Sequence, residues 1–169
     1  MPSVRILALD PGYRNLGIAI AEPGSIIHSE TMLVGSPHAP MRFGNSIAQR
    51  FEDLRIEHGP FDAVAFETPP FITKNIKVSS LLWHVMGGVT TWASLQGYPI
   101  WDIMPQKLKR HCCHVTGKQW NHRYQPTKKE VAEAVALAFP TLETNARTDH
   151  EDDAALVADA YFASHRQAG

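Results

Sequence analysis

The sequence has few cysteines and no long apolar run, and both absences limit what the protein can be. Its two cysteines, Cys112 and Cys113, are neighbours in the chain and cannot form a disulfide between distant segments. No stretch of about 18 apolar residues is present, and the N-terminus lacks a basic segment followed by an apolar one. We therefore expect a cytoplasmic protein in a reducing compartment, without a membrane partner.

Acidic side chains are scarce in the middle of the chain. From Thr68 to Lys129 there are nine lysines and arginines but one acid, Asp102, although the net charge of the whole chain is −1. This uneven distribution is typical of a nucleic-acid enzyme, in which a basic region binds phosphates and an acidic one binds metal ions. Charges spread over solvated surfaces are the alternative explanation.

Five short aliphatic segments predict β-strands, at residues 4–9, 16–21, 26–34, 63–66 and 99–103. The first two flank Asp10-Pro11-Gly12 and predict a hairpin, which the third segment can extend. The last two are separated from the hairpin and from each other by helical patterns. Such an order predicts an α/β sheet with mixed strand directions.

Helices are predicted between and after these strands. Apolar residues at helical spacing indicate an amphipathic helix from about Phe43 to the break at Gly59-Pro60, and a long apolar helix over residues 76–96 that Gly97 closes. Two Thr-x-x-Glu capping boxes, at residues 127–130 and 148–151, begin two more helices. With its 169 residues, the chain is predicted to form one α/β domain over residues 1–169, a mixed five-stranded sheet flanked by helices.

Two acids stand at the ends of predicted strands. Asp10 follows an aliphatic strand and precedes Pro-Gly, and Glu67 ends the apolar run of residues 63–66. A carboxylate beside an apolar strand is costly unless it is paired or coordinates a metal, and Mg²⁺ takes oxygen ligands. Both acids are therefore metal-ligand candidates, while Asp10 fits equally well as a turn-forming aspartate that bonds nearby amides.

The last predicted helix carries an acidic run whose members face different ways. Side chains rotate by about 100° per residue, which places His150 and Asp153 on or beside the apolar stripe of the helix. Asp152 points away from that stripe and is expected to be solvated, and Glu151 is expected to complete the capping box of Thr148. His150 and Asp153 are thus the candidates that face the sheet.

These acids belong to a longer pattern. Three regions that together span nearly the whole chain carry this pattern: Ile6 to Gly12 followed by Gly17; Ala65-Phe66-Glu67 with Phe71, Lys74, Asn75 and Ser79-Ser80; and His150-x-x-Asp153-Ala154. In the order and spacing of these regions the sequence resembles the RuvC family of Holliday-junction resolvases. A single Asp-Pro-Gly would be weak support. The three acidic regions together make the resemblance specific.

The resemblance implies a fold and an activity. The fold is RNase H-like, and the protein is a homodimer that makes paired symmetric nicks in a four-way DNA junction. Asp10, Glu67, His150 and Asp153 are implied to be catalytic residues that hold two Mg²⁺ ions, as in the general two-metal mechanism, with no organic cofactor. Because a histidine ligand suits Mn²⁺ better than Mg²⁺, we expect Mn²⁺ to substitute.

The resemblance also implies contacts with DNA. Phe71 is implied to wedge against bases at the crossover, Lys109 to act in catalysis near the scissile phosphate, and Lys129 to be a second basic residue there. Other basic or polar residues are further DNA-binding candidates, namely Lys74, Asn75, Lys77, Lys107, Arg110 and Lys118. The sequence departs from the family pattern by one extra residue before Phe71 and by a segment at residues 120–125 that looks inserted.

Three features have more than one interpretation. The apolar helix over residues 76–96 is either a dimer interface or a core helix of one subunit, with Gly87-Gly88 indicating close packing. The His-Cys-Cys-His run at 111–114 is no zinc site, because four consecutive residues cannot face one ion, and it is interpreted as a buried strand. The aromatic and basic residues at 120–124 either stack on unpaired nucleotides or form an anchored surface loop.

Rival functions remain at this point. An actin-like kinase also has an Asp-x-Gly turn in an opening hairpin, but it needs two lobes, for which 169 residues are too few. A junction-binding protein without catalytic activity would not require every acid. A related RNase H-like nuclease of other branched DNA or RNA is the remaining alternative.

Overall fold

The structure, a computed structural model, describes residues 4–12, 14–34, 43–69, 76–142 and 147–166. Among these residues, no helix is both long and apolar enough to span a membrane. The described elements are, in chain order, β1 (Ile6–Asp10), β2 (Asn15–Glu22), β3 (Ser25–Leu33), α1 (Phe43–His58), β4 (Ala63–Glu67), α2 (Ile76–Leu95), β5 (Ile100–Ile103), α3 (Pro105–Val115), α4 (Lys128–Ala138) and α5 (Asp149–Arg166).

The strands form one mixed five-stranded sheet in the order β3-β2-β1-β4-β5. The hairpin strands β1 and β2 are antiparallel, as are β2 and β3, whereas β4 runs parallel to β1 and β5 runs parallel to β4. The predicted hairpin, its third strand and the mixed α/β sheet are confirmed. Strand β4 follows α1 and β5 follows α2, because a chain that adds a parallel strand needs a crossover connection, usually a helix.

Alternation along the strands gives the sheet one face of mostly small side chains and one of large side chains. The small face packs against α3, α4 and α5, and the large face packs against α1 and α2. Because α5 also contributes alanines, it can lie close to the small face. The small face includes Ala8, Ala19, Ala21, Ala63 and Ala65, and the large face includes Leu7, Leu9, Ile18, Ile20 and Phe66.

Helix α2 is a core helix on one side and exposed on the other. Val85 and Val89 are buried against the large face of the sheet, while Leu95 is 81% exposed. At its end, Gly97 has φ 74°, a conformation that favours glycine, and the amide of Tyr98 donates to the carbonyl of Ala93 at 2.9 Å. The expectation of close packing at Gly87 is wrong within the described chain, since a Cβ placed there would meet nothing within 4 Å.

Helix α3 was not expected from the sequence, and the interpretation of residues 111–114 as a strand is wrong. The helix begins with Pro105 at its first turn, where proline is tolerated, and buries Leu108, Cys112 and Cys113 at helical spacing. Both thiols are free and buried, in agreement with the expectation of no disulfide between distant segments.

Candidate active site

Asp10 and Glu67 lie side by side at the ends of two parallel strands. In the pairing of β1 with β4, Leu9 is opposite Phe66, so the next residues along each strand are these two acids. Side chains alternate along a strand, so both acids continue the face to which Ala8 and Ala65 belong. Their carboxylates therefore emerge on the side of the sheet covered by α5.

Gly17 allows α5 to approach this end of the sheet. It lies opposite Asp10 in the β1–β2 hairpin. A Cβ at Gly17 would lie 2.0 Å from the backbone carbonyl oxygen of His150, in the first turn of α5. Only a residue without a side chain fits between the strand and the helix at this distance, so this glycine fixes where the first turn of α5 meets the two strand-end acids.

His150 contacts Asp10 directly. Its Nδ1 atom lies 2.9 Å from Oδ2 of Asp10, and its Nε2 atom lies 3.4 Å from the side-chain nitrogen Nδ2 of Asn15. The hydrogen bond to Asp10 raises the pKa of His150 above its ordinary value, although burial opposes the shift. The carboxylate of Asp10 thus has a side-chain partner on α5. A purely turn-forming aspartate would bond only nearby backbone amides and would not require this partner.

Asp153 faces the same region from the next turn of α5 and is bonded to Lys128. The ammonium of Lys128 donates to Oδ2 of Asp153 at 2.5 Å. Both residues line a cleft of about 190 Å³ together with Glu67, Lys109 and the apolar residues Leu108, Cys112, Pro126, Val131 and Leu156. The cleft therefore joins the end of β4 to α3, α4 and α5 and contains two acids and two cations.

The carboxylates of the cleft repel one another. Burial, followed by the charges of Asp10 and Asp153, raises the pKa of Glu67 from 4.5 to about 7, while Lys109 and Lys128 act in the opposite direction. Burial also raises the pKa of Asp153, and the hydrogen bond from Lys128 reduces that increase. Ionisation of Glu67 is therefore costly beside its acidic neighbours, and added positive charge would lower that cost.

The chemistry of these side chains suits a hard divalent cation. Asp10, Glu67 and Asp153 offer oxygen donors that gain from added positive charge, and His150 offers a nitrogen. In the described part of the chain, however, no three His, Cys, Asp or Glu side chains are gathered closely enough to hold an ion. Lys128 and His150 supply the positive partners instead, so metal binding would require Asp153 to turn away from Lys128.

Two further acids of α5 have structural partners. The backbone amide of Glu151 donates to the hydroxyl of Thr148 at 3.3 Å, which is one of the two hydrogen bonds of the predicted capping box. The carboxylate of Glu151 accepts hydrogen bonds from the hydroxyls of Thr148 at 3.2 Å and of Ser29 on β3 at 3.0 Å. The expectation that Asp152 is solvated is wrong. Its side chain is only 13% exposed, and its Oδ1 atom lies 2.8 Å from Nε of Arg147, two residues before the start of α5.

The predicted DNA-binding residues fall into three groups. Phe71, Lys74 and Asn75 lie outside the described residues. Lys109 lines the cleft beside Glu67. The remaining candidates are exposed, namely Lys77 on α2, Lys107 and Arg110 on α3, Lys118 in the loop after α3 and Lys129 on α4.

Lys128 is a site residue that sequence reasoning missed. The resemblance indicated Lys129, yet it is Lys128 whose ammonium reaches Asp153. The two lysines are adjacent at the start of α4, and neighbouring helical residues point about 100° apart. The capping box offered a usable signal, because it defines Thr127 as the cap and so sets which lysine turns toward α5.

Solved structures resemble this chain over nearly its whole length. Thermus thermophilus RuvC in complex with a Holliday junction substrate has a TM-score of 0.77 at 20% sequence identity, with 97% of this chain and 96% of that chain covered. Another Thermus thermophilus RuvC structure has a TM-score of 0.77 at 22% identity, covering 98% and 97%. The yeast mitochondrial Holliday junction resolvase Ydc2 has a TM-score of 0.69 at 14% identity, covering 98% and 80%.

No family model and no curated protein matches the sequence. The likeness to solved structures nevertheless agrees with the resemblance found in the sequence. The chain has the fold of RuvC, the RNase H-like fold that this resemblance implied.

Proposed function

We propose that this protein is a Holliday-junction resolvase, a DNA endonuclease that makes paired symmetric nicks in four-way junctions. The observation that carries the proposal is that Asp10 and Asp153 lie near enough to Glu67 for their charges to raise its pKa, at one end of a RuvC-like fold. The mutual repulsion of these acids gives them a reason to bind cations. It is unfavourable for folding and therefore fits a catalytic role better than a structural one.

The proposed metal ligands are Asp10, Glu67, His150 and Asp153. Two Mg²⁺ ions, or Mn²⁺ in their place, would supply an activated water and stabilise the leaving oxygen of the phosphodiester. Asp10 and Glu67 hold their positions because both end rigid strands. His150 is oriented by Asn15, which lies 3.4 Å from its Nε2 atom.

Lys109 and Lys128 are proposed to bind the scissile phosphate. Both ammonium groups belong to the cleft that Glu67 and Asp153 line. A phosphodiester carries negative charge into an acidic site, so cations that line the same cleft reduce the repulsion that it meets. If Asp153 held a cation, Lys128 would lose its present ion-pair partner and its ammonium would be available to the phosphate.

We further propose that the protein acts as a homodimer through the outer side of α2. Trp83, Gly87, Thr91 and Leu95 follow one another at four-residue spacing, and all four are exposed. A glycine in this row permits two helices to approach closely. A symmetric dimer would present two identical sites to the two equivalent strands of a junction.

The test compares the protein with its Asp10→Asn variant on labelled four-way junctions, linear duplex and flaps, in Mg²⁺ and in Mn²⁺. Symmetric nicks on the junction that the variant fails to make are expected. Equal cutting of linear duplex would rule out a dedicated resolvase. Tight junction binding without any nicking in either ion would indicate a binding protein.

A further inference from the structure

The α3–α4 loop, residues 116–127, is held in place by the carboxylate of Glu130. Lys118 donates to this carboxylate at 2.5 Å, and the backbone amide and the hydroxyl of Thr127 donate at 2.6 and 2.9 Å. The hydroxyl of Tyr124 donates to it as well. These hydrogen bonds lower the pKa of Glu130 to about 2. The loop that looked inserted in the sequence is therefore an organised part of the surface.

The tip of this loop is a tight turn that presents a cation to solvent. The amide of Tyr124 donates to the carbonyl of Asn121 at 3.0 Å, and the amide of Arg123 donates to the side-chain oxygen of Asn121 at 3.0 Å. An asparagine at the first position of a turn commonly makes such a bond. His122 and Arg123 are consequently the two central residues of the turn, and both are exposed.

Two of the four cations in this region have acidic partners and two do not. Lys118 pairs with Glu130, and Lys128 pairs with Asp153. Within the described residues, neither Arg123 nor Lys129 forms an ion pair, and both are exposed. A positive charge in the first turn of a helix is unfavourable, so helix stability does not account for Lys129 on α4.

Both unpaired cations are close in the chain to residues that line the cleft. Pro126 and Lys128 line the cleft with Glu67 and Asp153, and Arg123 and Lys129 lie three residues before and one residue after them in the chain. A strand whose scissile phosphate enters the cleft would continue past its walls, two residues of which are Pro126 and Lys128. The exposed charges are complementary to the backbone of that strand.

We propose that Arg123 joins Lys129, already a DNA-binding candidate, in a second DNA contact, which binds backbone phosphates of the duplex arm adjoining the scissile phosphate. The inference rests on the proposed nuclease function and assigns a role to the α3–α4 loop. Because Glu130 already holds the loop, little conformational freedom is lost when DNA binds. The contact is to phosphates, so it should not depend on the base sequence of the arm.

The experiment measures binding of a fluorescent four-way junction in EDTA, by anisotropy, over a range of salt concentrations. Arg123→Ala and Lys129→Ala are each expected to weaken binding by about threefold or more and to reduce the slope of log affinity against log salt by about one. Arg166→Ala is the matched control, since Arg166 is an exposed cation at the far end of α5. It should change neither quantity.

Tyr124→Phe distinguishes the effect of the hydrogen bonds that hold the loop from the effect of the charges of Arg123 and Lys129. This variant removes one hydrogen bond to Glu130 and keeps every cation, so binding should weaken while the salt slope stays unchanged. Thermal melting of all variants checks that the fold is intact. If Arg123→Ala and Lys129→Ala behave like Arg166→Ala, the second contact is refuted.

The outcome for the contact is distinguishable from the outcome for the proposed function. If the protein nicks junctions but Arg123→Ala leaves junction affinity unchanged, the proposed function stands and the proposed contact is refuted. If the protein binds linear duplex as tightly as junctions and both variants reduce the salt slope, the proposed contact stands and the resolvase function is refuted.

Discussion

The Nδ1 atom of His150 lies 2.9 Å from Oδ2 of Asp10, so one hydrogen bond joins the first turn of α5 to the end of β1. A carboxylate only accepts hydrogen bonds, and the shared proton therefore resides on Nδ1. In the neutral imidazole this leaves the lone pair of Nε2 to face Asn15. The candidate site thus contains a nitrogen atom with a lone pair, a potential metal ligand, next to its carboxylates.

Mn²⁺ is expected to support nicking at least as well as Mg²⁺, because a nitrogen ligand suits Mn²⁺ better. Replacing the imidazole by a carboxylate in His150→Asp should shift the preference toward Mg²⁺. Initial nicking rates on a labelled junction in each ion measure both effects. A strict Mg²⁺ preference of the unaltered protein would argue against His150 as a ligand.

Glu67→Gln is expected to abolish nicking and to stabilise the fold above pH 7. The pKa of Glu67 rises from 4.5 in the unfolded chain to about 7 in the folded protein, so the folded state holds the proton more tightly. Its stability contribution is full below pH 4.5 and is lost as the pH rises through 7, a difference on the order of 3 kcal/mol. The Gln variant avoids that loss.

Thermal melting in EDTA at pH 5 and pH 8 tests this expectation for Glu67. The melting temperature of Glu67→Gln should exceed that of the unaltered protein at pH 8 by more than it does at pH 5. Glu57→Gln is the control, because Glu57 is a half-exposed carboxylate on α1. An equal difference at both pH values would contradict the proposed electrostatic cost.

Gly17→Ala is expected to lower both stability and nicking. The added methyl group would lie 2.0 Å from the carbonyl oxygen of His150, so the first turn of α5 would have to move away from β2. Ile56→Ala is the control, because Ile56 is a 71% exposed residue on α1, outside both the candidate site and the exposed row of α2. Denaturant melts and nicking rates of both variants check the prediction.

Leu95→Arg is expected to separate the proposed dimer. Leu95 lies in the exposed row of α2, and in a symmetric dimer the new charge would face its own copy or be buried. Leu137→Arg is the control, since Leu137 is an exposed leucine on α4, outside this row. Sedimentation should show a monomer for the first variant and a dimer for the second. A monomeric unaltered protein at micromolar concentration would contradict the interface.

The strands, four of the five helices and the acidic residues facing α5 could be predicted from the sequence because local patterns specify them. Apolar runs mark the strands that end at Asp10 and Glu67, and capping boxes mark the starts of α4 and α5. The helical wheel correctly placed Asp153 toward the cleft. Each of these features depends on residues within a few positions of one another.

The errors involve features that simple local patterns did not reveal. Helix α3 was missed because its buried residues, such as Leu108 and Cys112, are separated by basic residues that resemble a loop. Asp152 was misjudged because a helical wheel does not show that Arg147, outside the helix, packs against it. Which lysine reaches Asp153 depends on how α4 packs against α5. Lys128 reaches it, whereas the adjacent Lys129 was the residue expected there.

The two faces of the sheet give this protein separable parts. The proposed ligands all belong to the small face and α5, whereas α1 and α2 occupy the large face and carry the proposed dimer surface. Substitutions on the large face can therefore alter thermal tolerance or assembly with little displacement of the chemistry. A lineage could in this way change its partner subunit or working temperature repeatedly while it retained the same cleavage machinery.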